Sequence, residues 1–134
     1  MKIPLRVLII EDSEDDALLI IHQLERAGYK LTHERVETKG AMLEALEGQT
    51  WDIIVSDYKM PHFSGLAALK LYQEKGLDIP FIIVSGTIGE EIAAAAMVSG
   101  AHDYVMKNNL SRLVPSIQRE LREAESRRER KRAE

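Results

Sequence analysis

WDIIVSDYKMPHFSG, residues 51–65, carries the pattern on which the fold turns. Ile53, Ile54 and Val55 form an unbroken β-branched run, the mark of a strand buried on both faces. The run ends at a carboxylate, Asp57, and Pro61 and Gly65 break the chain soon after. A charge at the tip of a buried strand is costly unless something there uses it. The stretch therefore implies a site as well as a strand.

Two further apolar runs of strand length flank it. RVLII (6–10) lies before it, and PFIIVSG (80–86) after it, with Pro80 in the first position, where proline is tolerated. HERVE (33–37) reads as a weaker strand and HDYVM (102–106) as the last one. The segments between them have helical signatures. In EDSEDDALLIIHQLERAGYK (11–30), Ser13 and Asp16 have capping-box spacing. Ala17, Leu18, Ile20, Ile21 and Leu24 then recur at helical spacing, and Gly28 sits where a C-terminal cap belongs. TKGAMLEALEG (38–48) predicts a short helix with Thr38 as N-cap and Gly48 past its end. GLAALKLYQEKG (65–76) and GEEIAAAAMVSG (89–100) predict helices closed by Gly76 and Gly100, and the chain is helical from Leu110 onward. Strands alternate with helices, and the strongest strands are apolar on both faces. The predicted class is α/β, a doubly wound five-stranded parallel sheet with helices on both faces.

The chain has 134 residues, 45% hydrophobic and 30% charged, which suits one domain with one sheet and argues against disorder. The net charge of −4 and the lack of a basic stripe argue against direct nucleic-acid binding. There is no cysteine, so disulfides and thiolate metal sites are excluded, and a cytoplasmic location is expected. No apolar run approaches the roughly 18 residues of a membrane span. The start, MKIPLRVLIIEDSEDD, lacks the small-residue cleavage site of a signal peptide.

The end of the chain differs from the rest. Leu110, Val114, Ile117, Leu121 and Ala124 form one stripe, but beyond Ala124 its positions become charged, at Arg128 and Lys131. Residues 1–122 are expected to form the domain and 123–134 a charged helical extension. That extension reads either as a solvated terminal helix or, the favoured reading, as a connector to a further module. VPSIQRELREA offers about two heptads of apolar contact, short for a coiled coil alone. It is still a route to a homodimer through the last helix and its extension.

A parallel sheet gathers the carboxyl ends of its strands at one edge, where sites form. Here that edge would collect Glu11 and Asp12, then Asp57, Ser85 and Lys107. Three close carboxylates repel, so they need a cation or shifted pKa values. Oxygen ligands without His or Cys suit a hard divalent ion such as Mg²⁺. A metal and Lys107 would supply positive charge around Asp57, and an aspartate so placed can accept a phosphoryl group as an acyl phosphate. Each acid taken alone is equally well a cap or turn former; the combination of types at four strand ends gives the reading its weight. The histidines show no metal spacing, with His22 read as a helix-surface residue, and Trp51 reads as a packing residue.

LIIEDSEDD (8–16), DIIVSDYKMPHFSG (52–65), PFIIVSG (80–86) and GAHDYVMK (100–107), in this order and spacing, resemble the receiver domain of two-component response regulators. The resemblance covers residues 5 to about 122. It implies a flavodoxin-like sheet of strand order 2-1-3-4-5. It implies that Glu11, Asp12, Asp57 and the backbone carbonyl of Lys59 hold Mg²⁺. Asp57 matches the phosphoacceptor, Lys107 the lysine that pairs with a phosphoryl oxygen, and Ser85 the hydroxyl that moves to bond the phosphoryl group. Tyr104 matches the switch aromatic. The implied partner is a histidine kinase or phosphotransfer protein. The implied output surface is the face of the fourth helix, fifth strand and fifth helix, to which AAAAMV (93–98) belongs, although tight packing explains those alanines equally well. The role is that of a phosphorylated signalling domain rather than an enzyme. The alternatives are an interaction module that is never phosphorylated and, weaker because Lys59 stands where a second acid would, a phosphohydrolase.

Three positions depart from the family pattern. Asn108 follows Lys107 where the family has proline after a cis bond, so this bond is expected to be trans or to carry the roughly 2.5–4 kcal/mol strain of a non-proline cis bond. Glu11 replaces the first aspartate of the acid pair. Lys59 has a side chain long enough to reach across the mouth of the site and alter how water reaches an acyl phosphate.

Overall fold

The computed structural model describes residues 1–86 and 89–133. Five strands form one sheet: β1 (Ile3–Ile10), β2 (Tyr29–Val36), β3 (Ile53–Asp57), β4 (Phe81–Ser85) and β5 (Asp103–Met106). All pairings are parallel, in the order β2-β1-β3-β4-β5. The connections are α1 (Glu14–Arg26), α2 (Lys39–Gly48), α3 (Gly65–Glu74) and α4 (Glu90–Val98), with α5 (Leu113–Ala133) closing the chain. A 3-10 helix, Lys107–Arg112, joins β5 to α5.

Strand parity divides the core in two. Leu8, Ile10, Ile54, Phe81 and Ile83 point into one layer, with Met42, Leu69 and Ala96 of α2, α3 and α4. Val7, Ile9, Ile53, Val55, Ile82 and Val84 point into the other, with Ile20 and Leu24 of α1 and Leu113 and Ile117 of α5. β3 and β4 are buried along their whole length, so they read as continuous apolar runs rather than alternating ones.

The caps behave as their residue types dictate. Ser13 Oγ accepts from the Asp16 amide at 3.2 Å, and Thr38 Oγ1 from the Ala41 amide at 3.1 Å. Gly28 follows α1 with φ +99°, a conformation that side chains disfavour. Other details differ from expectation. β2 starts at Tyr29, not at His33, because it pairs along its whole length with β1 while its other edge is open, which permits a polar sequence. Gly48 is the last residue of α2 rather than the one beyond it. Leu18 lies off the buried stripe of Ala17, Ile20, Ile21 and Leu24 and is half exposed. Before α5, the 3-10 helix replaces a helix expected from Leu110, and Pro115 sits in the first turn of α5, where it is tolerated.

α5 is fastened to β5 by a buried carboxylate. Asp103 accepts from Ser116 Oγ at 2.6 Å and the Tyr104 amide at 2.7 Å, and pairs with Arg112 at 3.3 Å and Arg119 at 3.0 Å. Burial alone would raise its pKa, but the Ser116 hydroxyl, the Tyr104 amide and Arg112 outweigh it and hold the carboxyl below its usual range. The Arg112 guanidinium also donates to the Tyr104 carbonyl. An Asp103→Ala variant strands these donors. It is expected to lose about 2 kcal/mol, discounted because both arginines are partly exposed. A lower urea midpoint at unchanged slope checks this.

Beyond Ala124, which is fully buried, the helix continues to Ala133. Arg127 pairs with Asp78 of the α3–β4 loop at 3.1 Å, and Glu125 pairs with Arg128 and Arg132 along the helix surface. Glu134, the last residue of the expected extension, lies outside the described residues.

Candidate functional site

The register brings the strand ends together. Ile10 pairs with Ser56, Asp57 with Val84, and Ser85 with Met106. Glu11 and Asp12 therefore leave β1 beside Asp57 at the tip of β3, with Ser85 ending β4 and Lys107 following β5.

Glu11 is almost wholly buried. Its amide donates to the Val36 carbonyl at 3.0 Å, its carbonyl accepts from Arg35 at 3.1 Å, and its Oε1 accepts from the Ser13 amide at 3.1 Å. Asp57 is also buried, and its Oδ1 accepts from the Tyr58 amide at 2.8 Å. Asp12 is exposed at the rim. One oxygen from each of Glu11, Asp12 and Asp57 lies within 4.8 Å of the others.

Lys107 reaches into this group. Its Nζ lies 2.7 Å from Asp16 Oδ2, 3.0 Å from Glu11 Oε2 and 3.4 Å from Asp57 Oδ2. Among these, the bond to Asp16 is a directed hydrogen bond. Glu11 Oε2 is buried and within ion-pair range of the ammonium, yet it lacks a hydrogen bond of proper direction. Burial pushes the Glu11 carboxyl up to about 7, against the pull of Lys107 and the Ser13 amide. Burial also raises Asp57, opposed mainly by Lys107. For Lys107, burial works against the charge, but Asp16 and Glu11 outweigh it and raise its pKa.

The pocket thus holds more negative charge than one lysine compensates. Its donors are all oxygen, and one of them, Glu11 Oε2, is poorly satisfied. That is a fit to a hard divalent cation.

A close backbone approach shapes the loop beside Asp57. The Gly65 amide donates to the Tyr58 carbonyl at 2.8 Å. A Cβ at Gly65 would overlap the Asp57 carbonyl oxygen and sit 2.9 Å from Tyr58 Cα. Lys59 is exposed and lines a groove of about 450 Å³ with Tyr58, Met60, Ser64, Leu66 and Ile92. Ser85 is buried beneath the edge, and Tyr104 is buried in the same layer as Ala96. A groove of about 360 Å³ borders Tyr104, Gly89, Glu90, Ala93, Met106 and Asn108. The alanine run is divided: Ala96 packs against the sheet, while Ala94, Ala95, Met97 and Val98 are exposed. Among the described residues every peptide bond is trans, so the trans alternative for Lys107–Asn108 holds.

Two residues of this site escape a reading of strand ends. Arg35 ties the Glu11 carbonyl and Glu14 to β2. Asp16 is the nearest partner of Lys107, although its spacing from Ser13 marks it first as part of a cap. The run Glu14-Asp15-Asp16 held the signal: three successive acids in a helix point in three directions, and one of them faces the site.

The model of the response regulator receiver domain matches residues 7–118. The chain belongs to this family. Receiver-domain relatives include the DNA-binding transcriptional regulator NtrC of Escherichia coli, 38% identical over 95 residues, 69% of this chain and 20% of that protein. Response regulator SaeR of Staphylococcus aureus is 34% identical over 101 residues, 75% of this chain and 43% of that protein. The chain thus spans less than half the length of these relatives. The receiver domain of a putative Luxo repressor protein from Vibrio parahaemolyticus superposes with a TM-score of 0.78 at 27% identity, covering 93% of this chain and 95% of that one. The five-stranded receiver fold and its acidic cluster are thereby placed in a two-component signalling family. No helix among the described residues is long and apolar enough to cross a membrane.

Proposed function

We propose that this receiver domain accepts a phosphoryl group on Asp57 and uses it to switch the face formed by α4, β5 and α5. The observation that carries the reading is the meeting of three carboxylates with the Lys107 ammonium around one buried aspartate.

The tip of β3 and the Gly65 close approach fix the Asp57 backbone. With Oδ1 held by the Tyr58 amide, Oδ2 is the oxygen turned toward Lys107. A carboxylate oxygen of Asp57 attacks phosphorus. The new O–P bond forms as the P–N bond of a phosphohistidine breaks and the imidazole leaves with the electron pair. Glu11, Asp12, Asp57 and the Lys59 carbonyl are the residues that would hold Mg²⁺, which supplies charge neutralisation for phosphoryl transfer. Lys107 meets the charge that develops on the phosphoryl oxygens. Ser85, at the end of the neighbouring strand, would donate to one of them, and its movement would be coupled to that of Tyr104. Phosphorylation then biases a two-state equilibrium. The donor would be a histidine kinase or phosphotransfer protein in the cytoplasm. Residues 123–134 would act as a helical connector, with α5 as a contact between two copies.

Intact-mass analysis after incubation with Mg²⁺ and acetyl phosphate tests the reading. One added phosphoryl group is expected, and none in an Asp57→Ala variant. No addition, together with no Mg²⁺ binding by a folded parent, would point instead to an interaction module that is never phosphorylated.

A further inference from the structure

Lys107 has three carboxylates within reach, and it does not bind them equally. Its directed bond goes to Asp16, at 2.7 Å, on the first turn of α1. The contacts with Glu11 and Asp57 are longer, 3.0 and 3.4 Å, and Glu11 Oε2 gains no directed hydrogen bond from its contact. Asp16 is itself held, since its amide is bonded to Ser13 Oγ in the cap of α1. Its side chain is 37% exposed against 1% for Glu11, so the ammonium is drawn toward the rim of the pocket.

We infer that Asp16 is a positioning residue that keeps Lys107 from filling the cation pocket. An ammonium and a divalent cation compete for the same Glu11 and Asp57 oxygens. A carboxylate outside the pocket that takes the best hydrogen bond from the ammonium loosens its hold on those oxygens. The inference rests on the Mg²⁺ site proposed above. It concerns the unphosphorylated state, in which Lys107 is divided among Asp16, Glu11 and Asp57.

Mg²⁺ titration by calorimetry, without any phosphodonor, tests it in a double-mutant cycle. The proteins are the parent, Asp16→Asn, Lys107→Ala and the double variant, each checked by circular dichroism. Asp16→Asn is nearly isosteric. It is expected to weaken Mg²⁺ binding about fivefold, the upper range for a partly exposed ion pair. In the Lys107→Ala background the same change should cost less than about twofold, since only the direct loss of a nearby charge remains. Equal weakening in both backgrounds, or none in either, overturns the inference while leaving the Mg²⁺ site standing. Absence of Mg²⁺ binding by both the parent and Lys107→Ala overturns the site itself, and the inference with it.

Discussion

A Gly65→Ala variant is expected to unfold about 3 kcal/mol more easily than the parent, at the upper end of the cost of overpacking. Propensity alone predicts the opposite sign, because alanine in a helix is favoured over glycine by roughly 0.5–1 kcal/mol. Geometry decides between them. The added Cβ meets backbone, the Asp57 carbonyl oxygen and Tyr58 Cα, not the flexible end of a side chain. Backbone can yield only by moving the tip of β3, and with it the Asp57 carboxylate. Chemical denaturation measures the stability. A midpoint at or above that of the parent would show that the loop relaxes freely and that the close approach is not a constraint.

The second large effect is a dependence of stability on pH between about 4.5 and 7 when Mg²⁺ is removed by a chelator. In the folded state Glu11 titrates near 7, against 4.5 for the free side chain, chiefly because it is buried. The folded state therefore binds this proton more tightly than the unfolded chain does. The stability it confers is fully present below pH 4.5 and is lost as the pH rises through 7, amounting to roughly 3 kcal/mol at 1.36 kcal/mol per unit. Asp57, also raised, acts in the same sense. Asp103, which is lowered, acts in the opposite sense and at more acid pH. A Glu11→Gln variant should lose most of the slope. Added Mg²⁺ at pH 7.5 should restore stability to the parent and much less to the variant. Parallel profiles for parent and variant would contradict this assignment.

Much of this architecture is legible in the sequence because its signals are local and uncontested. Continuous apolar runs mark β1, β3 and β4, since only a doubly covered sheet buries both faces of a strand. Ser13 and Thr38 announce the starts of α1 and α2 through side-chain bonds that span only three residues. β2 is harder to delimit, because an edge strand tolerates the polar sequence that makes it look like a loop. The 3-10 helix is hidden by its length and by Leu110, which continues the helical stripe of α5. At the site, the residues at strand ends follow from the parallel topology. Asp16 does not, because a carboxylate in the first turn of a helix already has a sufficient local reason to be there. Its second role appears only when β5 delivers Lys107 across 91 positions of chain.

Reductive trapping of the acyl phosphate shows which side chain carries the phosphoryl group. After incubation with Mg²⁺ and acetyl phosphate, borohydride converts a phosphorylated aspartate to homoserine, and peptide mass mapping locates it. Homoserine is expected at position 57, and none when Mg²⁺ is withheld. Homoserine at Asp12 or Asp16 instead, or none in a protein that binds Mg²⁺, would contradict it.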